Sequence, residues 1–569
     1  MTANAIKKFA FTVIPATLFF GVCVPSANAL NITRQGSYET GLEEAAEIVS
    51  YDPTSQQLYI TNAAQNRIDI VSISDVQNPS LSSFIDLNTF GGGVNSVAVK
   101  NGVVAVAVEA NTATDPGTVA FFNTTGTLLN TVTVGALPDS LSFTPDGSKV
   151  LVANEGEPNE DYTIDPEGSI SVIDLSGGIG NLNQTNVSTA NFNAFNGQED
   201  ALRASGVRIF GLDIDNPSDP NQTASASRDL EPEFIAVSPD GETAFVTLQE
   251  NNAFAVVDIA TAMVTDVVAL GFKDHSLPGN GLDASDDDGE INIQNLPVFG
   301  MYQPDTIASY QVGDETYYVT ANEGDSRARP SDDDVLPPPN DEEGDIFNEE
   351  NRVRDLTLDP TAFPDAATLQ TDEVLGRLNV TNTLGDTDGD GDFDELYAFG
   401  TRSFSIWNSD GQLVFDSGDD FEQITAALVP DIFNANRTGG FDTRSDNRGP
   451  EPEGITVGMI GDHIYAFIGL ERIGGFMTYD VTDPLNPLFI EYINDTALGD
   501  LSPEGLLFIP GEDSPNGESL LVLTNEESGN TSIYSVTTPE PGSILGLMML
   551  GIVGTLKAKF SGKNSKVKS

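Results

Sequence analysis

Apolar residues in this chain fall in short alternating runs rather than at helical spacing. Val97-Ala-Val, Val103-Val-Ala-Val-Ala-Val, Ser169-Ile-Ser-Val-Ile-Asp and Ala253-Phe-Ala-Val-Val-Asp-Ile are typical. Such alternation, rich in β-branched residues and punctuated by Gly, Pro, Asn and Asp, predicts strands. One phrase orders them: an acid, a short strand, a turn such as Pro-Asp-Gly, a second apolar strand, then Asn-Glu-Gly or a variant of it. It runs from Asp139 to Glu155, Glu233 to Glu250, Asp305 to Glu323, Glu453 to Glu471 and Glu504 to Glu526. Two worn copies precede these, Glu47 to Asn62 and Asn95 to Glu109.

Recurrence of one hairpin predicts a repeat architecture built as a single large unit over residues 30–536. The expected fold is all-β, a seven-bladed β-propeller with acidic loop insertions. Residues 30–40 form a polar strand with no hairpin partner, suited to completing the last blade and closing the ring. Insertions are expected at about 176–228, with one short helix at 197–205, at 276–300, and at 327–395. The last contains Pro337-Pro-Pro and a loop around 341–345. Strands at 396–400, 403–407 and 413–415 are expected to finish the fifth blade. No helical core segment is predicted.

Both ends read as processing signals. Lys7-Lys8, an apolar run over 9–24 and Ser26-Ala-Asn-Ala29 form a secretory signal peptide, residues 1–29. In 537–569, Pro539-Glu540-Pro541 precedes a short apolar run over 544–556 and a lysine-rich tail. That order resembles the PEP-CTERM sorting signal. The resemblance implies an exosortase-type sorting machinery as partner, transient anchoring in the inner membrane by the C-terminal helix, and delivery to the cell surface, outer membrane or medium. The lysines favour a cytoplasmic position for this end.

Charge narrows the partners. Twenty-five basic and 87 acidic residues in 569 give a formal charge of −62, and no acid lies in 1–29 or 542–569. Such a body repels nucleic acid and anionic lipid and attracts cations. The one cysteine, Cys23, lies in the leader, so the body holds no disulfide. His275 and His463 are the two histidines, too few and too far apart to suggest a zinc cluster or a Ser-His-Asp triad.

Antiparallel strands return to the end they left. Each hairpin therefore brings its leading and trailing acids together: Asp139 with Glu155, Glu233 with Glu250, Asp305 with Glu323, Glu453 with Glu471, and Glu504 with Glu526. With first strands innermost, these pairs would encircle one opening. Two carboxylates at ~4 Å repel by about 4 kcal/mol at an effective dielectric of 20. Protonation, arginines or a bound cation must offset that, and oxygen-rich sites favour Ca²⁺. Alternatively, the acids accept backbone N–H groups and cap the hairpins; both can hold at once. Asp386, Asp388, Asp390 and Asp394 with Gly391 match the spacing of a calcium loop, and Asp392 lies among them. Tyr397 stands where that pattern has Glu. A less regular acidic loop carries Asp283 and Asp287.

Thr320-Ala-Asn-Glu-Gly-Asp-Ser-Arg327, Gly400-Thr-Arg-Ser-Phe-Ser-Ile-Trp407, Gly449-Pro-Glu-Pro-Glu-Gly454, Phe467-Ile-Gly-Leu-Glu-Arg472 and Ser502-Pro-Glu-Gly505 together resemble the choice-of-anchor I family. The resemblance implies a seven-bladed propeller with a variable C-terminal anchor. Relatives bear labels such as alkaline phosphatase-like, esterase-like or surface glycoprotein. Two functions compete. One is a surface propeller binding calcium and an extracellular ligand, either polysaccharide or a surface protein. The other is a calcium-dependent phosphoesterase similar to propeller phytases, with Glu323, Asp325, Arg327, Glu471 and Arg472 as its residues. Glycoside hydrolysis by a carboxylate pair is a third, with nothing to select the pair.

Overall fold

The computed structural model describes residues 30–215, 223–329, 347–437 and 439–539. The leader, the apolar run and basic tail, and the Pro337 to Asp345 stretch lie outside the described residues. Among the described residues there are seven four-stranded antiparallel sheets. Their first strands are Val49–Asp52, Val94–Lys100, Pro138–Phe143, Ile235–Val237, Ile307–Val312, Pro452–Ile460 and Pro503–Ile509. Asn31–Glu39 pairs antiparallel with Asn530–Thr537 and so supplies the outer strand of the last sheet. These sheets belong to one compact unit, Asn31–Thr537.

Alternation explains the packing. Second and third strands, such as Gln57–Asn62 and Arg67–Ser72, are buried on both faces, because each sheet is covered by its neighbours. Tyr310, Val319 and Phe404 of the fifth sheet form one core with Ile455, Ile464 and Ile468 of the sixth. Val49, Leu58 and Ile60 of the first sheet form another with Ile509, Leu520 and Ile533 of the last. Phe467 stacks on Phe508 at 5.9 Å between the sixth and seventh.

Neighbouring sheets also bind one another through their first and second strands. Val99 N donates to Ser50 Oγ at 3.0 Å and Leu141 N to Ser96 Oγ at 3.3 Å. Ser140 Oγ donates to the Glu233 carbonyl at 2.6 Å, and Thr247 Oγ1 to the Asp305 carbonyl at 3.0 Å. Thr306 donates to the Glu453 carbonyl, and Thr524 of the seventh sheet to the Glu47 carbonyl beside the first. Where the bonding side chain is replaced by glycine, the backbones close in. A Cβ on Gly454 would lie 1.9 Å from the Glu504 carbonyl oxygen, and one on Gly505 2.1 Å from that of Glu47.

Three expectations need correction. The segment 396–400 does not finish the fifth sheet. That sheet takes Ser403–Asn408 and Leu413–Asp416, whereas Tyr397–Ala398 joins a separate mixed sheet with Phe272–Asp274, Phe299–Met301, Asn379–Thr381 and Glu350–Arg352. The insertions at 276–300 and 327–395 thus build a small layer with its own core, including Leu282, Val353, Leu378 and Leu396. The 176–228 excursion is not all loop, since it includes Val187–Asn191, the outer strand of the third sheet, while the expected helix is present at Glu199–Ser205. A helix also occurs at Asp420–Leu428, where Phe421 packs against Phe404 and Tyr479.

The close approach at Gly454 yields a prediction. Gly454→Ala should cost on the order of 1–3 kcal/mol, as overpacking does, and lower the melting temperature. Gly177→Ala, with nothing within 4 Å of the added carbon, should leave it unchanged.

Candidate functional site

The inner ends of the hairpins surround one cavity of about 560 Å³. Its walls carry both acids of each predicted pair: Asp139 and Glu155, Glu233 and Glu250, Asp305 and Glu323, Glu453 and Glu471, Glu504 and Glu526. Local structure aims them inward. In three of the first strands the register slips just after the proline, between Pro138 and Leu141, Pro452 and Ile455, and Pro503 and Leu506. Asp139, Glu453 and Glu504 sit in these bulges, which turn a side chain away from the regular pleat.

Glu44, Glu157, Asp325 and Glu350 also line the cavity, making fourteen carboxyl groups there against six guanidinium groups. Sequence reasoning passed over Glu157, although it lies two residues beyond Glu155 in Asn-Glu-Gly-Glu. Arg329 and Arg437 lie outside the hairpin period, and Glu451 lies in the Gly449–Gly454 motif without a hairpin partner to single it out.

The arginines are already engaged. Arg448 pairs with Asp325 and, at 3.5 Å, with Glu323. Arg472 holds Glu451 at 2.9 Å and Glu471 at 3.0 Å, and Arg437 reaches Glu471 at 3.2 Å. Glu451 is buried, yet Arg444, Arg472 and Arg448 outweigh burial and bring its carboxyl down to about 2. Arg329 pairs with Glu157. Arg327 donates to buried Asp229 at 2.8 Å and to buried Glu231, and its guanidinium lies 4.6 Å from the Phe210 ring. Thus Glu323, Asp325, Glu471 and Arg472 come together, while the charged end of Arg327 is committed to a structural ion pair behind the wall.

The remaining acids are under strain of charge. Burial, then neighbouring carboxylates, pushes Asp139 up to about 7 and Asp305 and Glu47 up to about 8. The same causes hold Glu155, Glu233 and Glu504 well above the carboxylate range. Among the described residues, Oε2 of Glu233, Glu250, Glu453 and Glu504 is buried with no hydrogen-bond donor. The hairpin-capping alternative therefore does not account for these oxygens. Carboxylate oxygens of Glu155, Glu157 and Glu250 lie within 4.8 Å of one another, as do those of Glu323, Glu453 and Glu471.

The acidic loops differ from each other. Asp386 accepts backbone N–H bonds from Gly389, Asp390 and Gly391 at 2.8, 3.2 and 3.1 Å. Oxygens of Asp386, Asp388 and Asp394 lie within 4.8 Å, and so do those of Asp359, Asp392 and Asp394; Asp390 joins neither group. Asp283 is buried and accepts from Asn292 N at 2.6 Å, which fixes its own turn. Among the described residues, neither Asp283 nor Asp287 falls in such a cluster.

The sequence profile of the choice-of-anchor I domain matches residues 47–484. The chain belongs to that family. This choice-of-anchor I chain is 32% identical to Gigasin-3a of Magallana gigas over 190 residues, 30% of the chain and 66% of the relative. It is 31% identical over 321 residues to a mesenchyme-specific cell surface glycoprotein of Strongylocentrotus purpuratus, 52% of the chain and 40% of the relative. The chain spans less than two thirds of either curated relative. Among solved structures it is similar to Kuenenia stuttgartiensis hydrazine synthase, at 12% identity and a TM-score of 0.43, covering 88% of this chain and 100% of that one. It is also similar to the WD40 domain of Toxoplasma gondii coronin, at 8% identity and a TM-score of 0.42, covering 91% and 89%. Both likenesses are too loose to bear on function.

Raised carboxyls give a pH prediction for the choice-of-anchor I body. A carboxyl with a higher folded than unfolded pKa binds more protons when folded, so stability falls as pH rises between the two values. For Asp139, Asp305 and Glu47 that window runs from ordinary carboxylate values near 4 to about 8. In a chelator, the melting temperature should drop steadily from pH 5 to pH 8. A flat profile there would contradict the crowding.

Proposed function

We propose that this choice-of-anchor I chain is an exported, cell-surface protein whose seven sheets are the blades of a seven-bladed β-propeller closed by its N-terminal strand. Its central acids bind calcium, and the stiffened ring presents a face to an extracellular polysaccharide or surface protein. Support for closure comes from the pairing of Asn31–Glu39 with Asn530–Thr537 and from the Thr524 bond to Glu47. Support for the location comes from the leader, the Pro-Glu-Pro tail suited to exosortase-type sorting, and a relative named as a cell surface glycoprotein. Among the described residues no helix is long and apolar enough to cross a membrane. The short C-terminal helix proposed as a transient membrane anchor lies outside them.

The observation that carries the calcium reading is the set of buried carboxylate oxygens without donors in a cavity where acids outnumber arginines. Among the described residues none that lines the cavity is aromatic, so they offer no ring face of the kind that recognises organic cations. A hard inorganic cation suits it better. A ligand that binds the folded chain alone stabilises it by about 2.7 kcal/mol at a hundredfold excess over Kd. Calcium at pH 8 should therefore raise the melting temperature by several degrees and EDTA should reverse it; identical melting in both would refute the reading.

A second reading, a calcium-dependent phosphoesterase, draws on the convergence of Glu323, Asp325, Glu471 and Arg472 in a cavity roomy enough for a phosphate ester. Bound cations would polarise the phosphoryl oxygens there. Hydrolysis of p-nitrophenyl phosphate by the purified protein, dependent on calcium and lost in Glu323→Ala, would establish it. Absence of turnover at every calcium concentration would reject it.

A further inference from the structure

The cavity offers two places where three carboxylates converge, and they are not equivalent. At Glu323, Glu453 and Glu471, positive charge is already present. Arg448 lies 3.5 Å from Glu323, while Arg437 and Arg472 lie 3.2 and 3.0 Å from Glu471. Gln249 Nε2 also donates to Glu323 Oε2 at 2.9 Å. A cation entering there would displace or face guanidinium groups.

The other place is made by the trailing ends of two adjacent sheets. Glu155 and Glu157 follow strand Lys149–Asn154 of the third sheet, and Glu250 follows Thr243–Leu248 of the fourth. Among the described residues, Glu157 alone of these three is ion-paired with a guanidinium, that of Arg329, while Arg327 acts on Glu157 and Glu250 through space. Glu233, at the head of the fourth sheet, faces Glu250 carboxyl to carboxyl. Glu233 and Glu250 are 7% and 5% exposed, and an oxygen of each is buried without a donor among the described residues. Two facing carboxylates are held together either by a shared proton or by a cation between or beside them, and a cation can displace that proton.

We propose that Glu155, Glu157 and Glu250, backed by Glu233, form the seat of one calcium ion that bridges the third and fourth sheets. The proposal rests on the calcium reading above and assigns its position. Three carboxylates, each able to bind through one or two oxygens, approach the six to eight oxygen ligands that Ca²⁺ takes, and water from the cavity completes the shell. In the Glu323, Glu453 and Glu471 group, Arg448, Arg437 and Arg472 already offset the charge of Glu323 and Glu471.

Calorimetric titration with CaCl₂ at pH 8 separates the two places, using the wild-type protein, Glu250→Gln and Glu453→Gln. Glu250→Gln should weaken calcium binding at least tenfold. In EDTA it should melt at or above the wild-type temperature, because one repelling charge is gone. Glu453→Gln should weaken binding clearly less than Glu250→Gln does, by about threefold against tenfold. Glu155→Gln carries the same expectation as Glu250→Gln should that variant fail to fold. Wild-type binding that survives Glu250→Gln and Glu155→Gln, or that is lost equally in Glu453→Gln, would overturn this seat while leaving the calcium reading intact. No calcium binding by the wild type would end both.

Discussion

Like charge held at close quarters is the condition that every other feature of this protein must accommodate. Inner strands of successive sheets start with an acid and return with another, so the architecture itself concentrates carboxylates where the sheets meet. Water screens such groups at a surface, but here they are buried, and each ionised neighbour raises the cost of the next. The protein meets that cost unevenly. Around Glu451 and Glu471 it supplies Arg437, Arg444 and Arg472. Around Glu155, Glu233 and Glu250 it supplies little.

The rest of the fold holds that arrangement rigid. Cross-sheet bonds from Ser140, Thr247, Thr306 and Thr524 grip the carbonyls of Glu233, Asp305, Glu453 and Glu47. The backbone of the acid is thus fixed by the sheet before it, which sets the point from which its carboxylate enters the cavity. Behind the wall, Arg327 and Arg208 flank the Phe210 ring and pair with Asp229, Glu231 and Glu349. That lock ties the loop after the third sheet to the insertion in the fifth. It explains why an arginine that looks poised for phosphate in the sequence is spent on structure.

What the sequence made legible follows from period and pairing. Inner hairpins have strong alternation and a repeated turn, so their acids could be placed at one end without coordinates. The acid-bearing loops beyond the repeat could not be. Glu157 reaches the cavity through irregular backbone, and Arg329 from a strand of two residues, Ala328–Arg329. Outer strands such as Ser80–Asp86 are largely exposed and lack an apolar face to betray them. The strands of the side layer are two or three residues long, too short for any period to register. Asp283 illustrates a further limit: its loop reads as a metal ligand set, and the bond its buried carboxylate accepts from the Asn292 amide is not visible in the spacing.

Belonging to the choice-of-anchor I family says what kind of module this is, while the charge distribution motivates the proposed calcium. The most direct measurement is anomalous diffraction from crystals grown with calcium at pH 8. A peak among the cavity carboxylates, within about 2.3–2.6 Å of their oxygens, is the expected result. A cavity holding only water at saturating calcium, with the same acids in the same places, would contradict the account.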